Sequence, residues 1–179
     1  MNHIHETMTD GSDVIDAQRK QLLALRELEK RYEAADGKLA DTYNLERNLR
    51  ELQRTFTQVP PRGVGLTSVA LSILLEQDER AASKQLKAIS RTPEITFPST
   101  WARVFMDFRV DKMRDAVLNM PAPVREALSK LRERDEFDVS RIQKSSTDCA
   151  IVCEWLFAFL DLSAQSEVLK KQENSAPAS

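Results

Sequence analysis

Leu25, Leu28, Tyr32, Ala35 and Leu39 follow one another by steps of three and four residues, the spacing that lines one face of a helix and builds a coiled-coil seam. The same rhythm returns toward the other end in Ile142, Cys149, Val152, Leu156, Leu160 and Ser163. No stretch alternates apolar and polar residues as a half-buried strand would, so the chain is expected to be all-α. Two long seams with shorter helices between them fit one simple arrangement. The seams pair antiparallel as a coiled-coil stalk base, and four to five short helices form a small globular head.

The corner between stalk and head reads PPRGVGLTSVALSILL, from position 60 to position 75. Proline has no amide to donate and disfavours helical geometry in the residue before it, so Pro60 and Pro61, with Gly63 behind them, end the first helix. A second helix, from about Val64 to Glu76, then carries Val64, Leu66, Val69, Ala70, Leu71, Ile73, Leu74 and Leu75 almost all round its circumference. Such a helix belongs in the middle of a cluster.

The expected divisions follow from these stretches. Residues 1–12 and 173–179 lack periodicity and are expected to be disordered. A first stalk helix spans 13–57, capped by Ser12 or Asp13; the head spans 58–145, and a returning helix capped by Asp138 spans 139–172. Within the head, helices are expected over Asp78 to Ser90, over Trp101 to Asn119 with a break near Asp111, and from Pro121 and Pro123 through Leu131. The first seam slips once: after Leu39 the next apolar set is Leu45, Leu49, Leu52 and Phe56. That jump of six where seven is regular marks a heptad discontinuity.

Among 179 residues, 26 Lys and Arg stand against 28 Asp and Glu, a net charge of −2. No global field draws this chain to nucleic acid or to a lipid surface, so any electrostatic partner must be read by a local patch. Two cysteines make no disulfide framework, and no apolar run approaches the ~20 residues of a membrane span. A reducing, cytoplasmic location is expected.

Chemistry has little to build on. His3 and His5 supply two imidazoles where a zinc site needs three or four ligands. Cys149 and Cys153 are helical neighbours four apart, without a second pair or a histidine in the folded region, and are expected as small core residues. GxxxxGK[ST], GxGxxG, GxSxG and HExxH are all absent. No enzyme activity, metal or cofactor is expected. One arrangement of charge is less ordinary: Arg80, Lys84, Lys87 and Arg91 recur at i, i+4, i+7 and i+11, four cations along one helix face. They form either a solvated face or a basic strip for an acidic partner.

Taken together, the motifs resemble the microtubule-binding head and adjoining stalk helices of dynein heavy chains. The Pro60-Pro61 corner, Val64 near the start of the next helix and Leu74-Leu75 near its end are similar to that family. So are AASKQLKAI and the step from Phe108 through Asp111 to Met113. The most specific piece is FDVSRIQKSSTDCAIVCEW, in which Phe137, Ser146, Cys149, Cys153 and Trp155 all match a returning-helix pattern. The resemblance covers roughly residues 45–165.

It implies a non-enzymatic module that docks on acidic tubulin, cytoplasmic and cytoskeletal, on microtubules such as those of the axoneme. The implied contacts are Arg62, Arg141 and Lys144, together with the strip Arg80, Lys84, Lys87 and Arg91. Pro60, Pro61, Val64, Leu74, Leu75, Phe137, Cys149, Cys153 and Trp155 are implied as junction and packing residues. Three positions depart from the family: Gly65 and Glu154 stand where relatives often carry a basic residue, and Phe157 where an arginine is common. The motor ring is absent from this sequence, which suits a stand-alone relative or a piece of a heavy chain. The other reading is a coiled-coil adaptor that keeps the fold and has lost tubulin binding. It would grip a second coiled coil, or a second copy of itself, through residues 13–40.

Overall fold

A computed structural model of the chain describes residues 6–90 and 97–175. Every regular element among them is helical: α1 (Glu6–Asp41), α2 (Leu45–Arg50), α3 (Leu52–Thr55), α4 (Arg62–Glu76), α5 (Glu79–Ser90), α6 (Arg103–Met106), α7 (Val110–Leu118), α8 (Ala122–Arg132), α9 (Val139–Ser145) and α10 (Thr147–Ser175). The chain divides into two compact units. One holds the residues up to Ala34 and those from Ala158 onward, and the other is Ala35–Phe157.

In the larger unit α4 is the centre. Val64, Leu66, Leu71, Ile73 and Leu74 are fully buried, and α5, α6, α7, α8 and α9 all pack on this helix. Its two buried hydroxyls bond within the helix: Thr67 Oγ1 donates to the Gly63 carbonyl at 2.7 Å and Ser68 Oγ to the Gly65 carbonyl at 2.6 Å, so neither leaves an unpaired polar atom in the core. The double proline starts the helix as well as ending what precedes it. Pro61 is extended, at φ −53° and ψ 147°, and its carbonyl accepts the Gly65 amide at 2.9 Å. Pro60 is buried, Pro61 half-buried, and Leu75, expected in the packing, is half-exposed as the last turn leaves the core.

Both long helices are cut where a single one was expected. The first stretch, expected to be continuous over 13–57, breaks at 42–44, where Asn44 adopts the left-handed conformation at φ 59° just before α2 begins. The jump of six between Leu39 and Leu45 is therefore a break and not a slipped seam. The returning stretch breaks at Ser146, which is extended at φ −157° and ψ 114°. Ser146 Oγ accepts the Cys149 amide at 3.1 Å and so caps α10. Asp138 caps α9 as its position suggested, accepting the Arg141 amide at 3.3 Å.

Three further boundaries differ. α1 begins at Glu6, inside the stretch expected to be unstructured, and α10 runs to Ser175; residues 1–5 and 176–179, with His3 and His5, lie outside the described residues. The break in the Trp101 to Asn119 stretch falls at 107–109, where Glu46 Oε1 accepts the Val110 amide at 3.1 Å and caps α7 from another helix.

In the smaller unit α1 meets α10. The Tyr32 ring stands edge-on to Phe159 with centroids 5.7 Å apart, and Arg31 Nη1 lies 2.8 Å from Asp161 Oδ2. Farther along, Gln18, Gln21 and Leu22 lie by Leu169, Gln172 and Glu173, so contacts descend α1 as they ascend α10. Leu25 and Leu28 are half-buried, whereas Val14, Ile15, Leu22 and Leu23 are all more than 50% exposed. Among the described residues no helix is long and apolar enough to cross a membrane.

Candidate functional site

α5 is presented by a turn that glycine would normally make. Gln77 ends α4 at φ 50°, its amide on the Ile73 carbonyl at 3.3 Å, and its side-chain Nε2 is anchored on the Ala116 carbonyl of α7 at 2.8 Å. Asp78 Oδ1 then accepts the Arg80 amide at 3.2 Å and opens α5. Ala82 and Ile89 are buried and Gln85 and Leu86 half-buried, which fixes the helix on α4 and α8. That placement leaves Arg80, Ser83, Lys84 and Lys87 exposed around one shallow depression that also includes Glu79. Among the described residues no carboxylate lies within ion-pair distance of Arg80, Lys84 or Lys87. Arg91, the fourth member of the expected strip, lies outside the described residues.

The other three cations of interest occur elsewhere, and in mixed company. Arg62 Nη1 is 2.6 Å from Glu136 Oε1, and Arg141 Nη1 donates to the Asp135 carbonyl at 3.2 Å; Lys144 is exposed on α9. The start of α4 touches α9 so closely that a methyl group on Gly63 would stand 3.0 Å from Ile142 Cγ1. Arg62 thus lies beside α9, in a neighbourhood where Asp135, Glu136 and Asp138 offset the positive charge. On α5, Glu79 is the one carboxylate among the described residues that borders the same depression as the cations.

The three departures from the dynein-type pattern each have a structural counterpart. Gly65 is buried, and the ring of Phe97 covers it: a Cβ there would stand 2.3 Å from Phe97 Cζ. An aromatic ring occupies the space a longer side chain would need. Glu154 takes Lys38 of α1 as partner at 3.7 Å. Phe157 is buried edge-on to Phe137 with centroids 5.0 Å apart, and the guanidinium of Arg132 of α8 lies over the Phe157 ring, 4.8 Å from its centre.

Four of the residues that the resemblance implies for junction and packing are deeply buried. Phe137, Cys149, Cys153 and Trp155 are all at most 3% exposed. Burial pushes the Cys149 thiol up from its ordinary 9.0 to about 12, with Asp148 adding to the rise and bonds from Ser146 and Thr67 opposing it. Burial raises Cys153 as well, although Thr67 Oγ1 lies 3.2 Å from its Sγ. Thiols held neutral in this way are poor nucleophiles and poor metal ligands. Among the described residues no group of three or more His, Cys, Asp or Glu side chains could hold a metal ion.

The most connected polar group is one that periodicity passes over. Asp36, on α1, receives Arg114 of α7 through both oxygens and the Trp155 indole of α10 through Oδ1. The available signal was Trp155 itself, since a buried indole N–H requires an acceptor. Phe97 and Arg132 were likewise missed, because neither belongs to a periodic stripe or a motif. No protein-family model matches the chain, and no curated protein matches it.

Proposed function

We propose that the chain is a non-enzymatic microtubule-binding module of dynein stalk-head type, which docks a basic helical face on the acidic surface of tubulin. The observation that carries this reading is the α5 face, where Arg80, Lys84 and Lys87 are exposed without a carboxylate partner among the described residues. Cations without internal partners remain available to an external one, and exposed cations chiefly steer encounter and fix register. The meeting of α1 with α10 through Tyr32, Phe159, Arg31 and Asp161 supports an antiparallel coiled-coil stalk base. The helices clustered on α4 would form the head. Arg62 and Arg141 are secondary in this reading, because Glu136 and the Asp135 carbonyl already engage them.

The test is co-sedimentation with microtubules across a salt series, run beside a Lys84→Glu, Lys87→Glu variant. Binding at low ionic strength that weakens as salt rises, and a variant that fails to sediment, are expected. No sedimentation of the parent chain at low ionic strength, or an unchanged variant, counts against the reading.

A second reading is favoured by a different observation, the exposure of Val14, Ile15, Leu22 and Leu23 on α1. A coiled-coil adaptor would cover this stretch with a partner helix. Light scattering separates the two readings: a dimer that dissociates on removal of residues 1–30 supports the adaptor, and a monomer supports the docking module.

A further inference from the structure

Ser83 stands in the middle of the α5 cations. It is exposed, and its hydroxyl makes no hydrogen bond among the described residues. Arg80 precedes it by three positions, Lys84 adjoins it and Lys87 follows by four; on a helix the residues at −3 and +4 share its face. All four border the same shallow depression. An arginine three residues before a serine is the feature that basophilic serine/threonine kinases read, and the lysines extend the same positive field.

We infer that Ser83 is a phosphoacceptor for a basophilic protein kinase, and that its modification switches off the basic face of α5; the second half rests on the docking function proposed above. In the transfer the Ser83 oxygen attacks the terminal phosphorus of a nucleoside triphosphate. The new Oγ–P bond forms as the bridging P–O bond breaks, the nucleoside diphosphate leaves, and the hydroxyl proton passes to the kinase's base. The product carries about −1.5 to −2 charges. The charged residues lining the depression, three cations and Glu79, sum to +2 before transfer, and the added phosphate brings that sum to about zero. The phosphate is also within reach of Arg80 and Lys87 on its own helix, so these cations turn inward from an external partner.

A kinase binds its substrate extended, so part of α5 must open. The helix is held by Ala82, Ile89 and half-buried Leu86, a far smaller apolar anchor than the fully buried face of α4. Local opening is governed by such differences in buried contact.

The full-length chain is incubated with ATP and a kinase selective for arginine at the −3 position, and intact mass and peptide mapping locate the phosphate. One phosphate on Ser83, its loss in Ser83→Ala, and at least a tenfold slower incorporation in Arg80→Ala are expected. An unmodified Ser83, or incorporation that survives Ser83→Ala at Thr57 behind Arg54, overturns the assignment. In the second arm the modified and unmodified chains are co-sedimented with microtubules at low ionic strength, and at least tenfold weaker binding of the modified chain is expected. Equal binding overturns the switch. If the unmodified chain does not sediment either, the docking function and the switch fall together, while the phosphoacceptor assignment still stands or falls on the mass measurement.

Discussion

Arg114 grips Asp36 through both carboxylate oxygens, Nε at 3.0 Å from Oδ1 and Nη2 at 2.9 Å from Oδ2. The same Oδ1 accepts the Trp155 indole N–H at 3.1 Å, so one carboxylate joins α1, α7 and α10 at a single point. The Arg114 and Asp36 side chains are 35% and 29% exposed, and solvent screens part of the ion pair. The indole, fully buried, has no such relief. Asp36→Ala is expected to cost about 2 kcal/mol, from loss of the Arg114 pair together with loss of the indole's acceptor at Oδ1. Trp155→Phe, which removes the donor and keeps a ring, is expected to lose about 1 kcal/mol through the hydrogen bond and a further part through the smaller ring. Urea denaturation of the two single variants and the double gives the coupling. Additive losses would mean that the indole bond contributes nothing.

Phe97 over Gly65 yields a signed expectation. Alanine at 65 favours the helix by about 0.5–1 kcal/mol, but its Cβ would stand 2.3 Å from the Phe97 ring, which must swing away and lose its contact. The two effects oppose, so Gly65→Ala alone is expected to change stability by less than about 1 kcal/mol. In a Phe97→Ala background the ring is gone and the helix preference acts alone, so Gly65→Ala should then stabilise by up to about 1 kcal/mol. Thermal melts of the four proteins measure the difference. Equal effects of Gly65→Ala in both backgrounds would show that the ring does not press on position 65 in solution.

The buried thiols set a pH dependence. Cys149 is raised from 9.0 to about 12, chiefly by burial, and Cys153 is raised for the same reason. Both pKa values are higher folded than unfolded, so the folded state retains protons that the unfolded chain gives up. Their contribution is fully present below about pH 9 and is lost as pH climbs from there toward 12. The urea midpoint is expected to fall between pH 8.5 and 10.5, with a slope of up to about 1.4 kcal/mol per pH unit for each thiol. Cys149→Ala, Cys153→Ala should flatten the curve even while lowering it. A parent and variant with parallel curves would rule the thiols out as its source. Alkylation gives a second readout: neither thiol should react at pH 8 until the chain unfolds.

Helicity, the Pro60-Pro61 corner and the burial of α4 were legible because each is local: spacing, a missing amide and an apolar circumference. The cuts at 42–44 and at Ser146 are signalled in the sequence, but each signal is ambiguous. A jump of six between Leu39 and Leu45 fits a slip within one helix as well as a break, and the apolar rhythm continues across Ser145-Ser146-Thr147-Asp148, a capping run that ends α9. Gly65, Glu154 and Phe157 stand out in the sequence against the dynein-type resemblance, but what surrounds them in the fold was not legible. Phe97 reaches Gly65 across 32 positions, and Arg132 reaches Phe157 across 25. Such partners are chosen by tertiary geometry, on which periodicity carries no information. Asp36 is the same case: on the seam it reads as one charge among many until two distant donors converge on it.

Asn44 marks the first cut, and its backbone permits a clean test of what holds it. The residue is left-handed, at φ 59° and ψ 22°, and its side chain makes no capping bond to α2. Its carbonyl, not its amide group, supports the helix by accepting the Asn48 amide at 2.8 Å. The side chain is therefore needed only for its tolerance of this conformation, where a Cβ costs most residues roughly 1–2 kcal/mol and glycine nothing. Asn44→Ala is expected to lose about 1 kcal/mol, Asn44→Gly to stay within about 0.5 kcal/mol of the parent, and Asn44→Val to lose the most, because a branched Cβ fits the left-handed region worst. Urea denaturation orders the series. If alanine matched glycine, position 44 would not be left-handed in solution, and α1 would run on into α2 as the single long helix that the seam alone suggests.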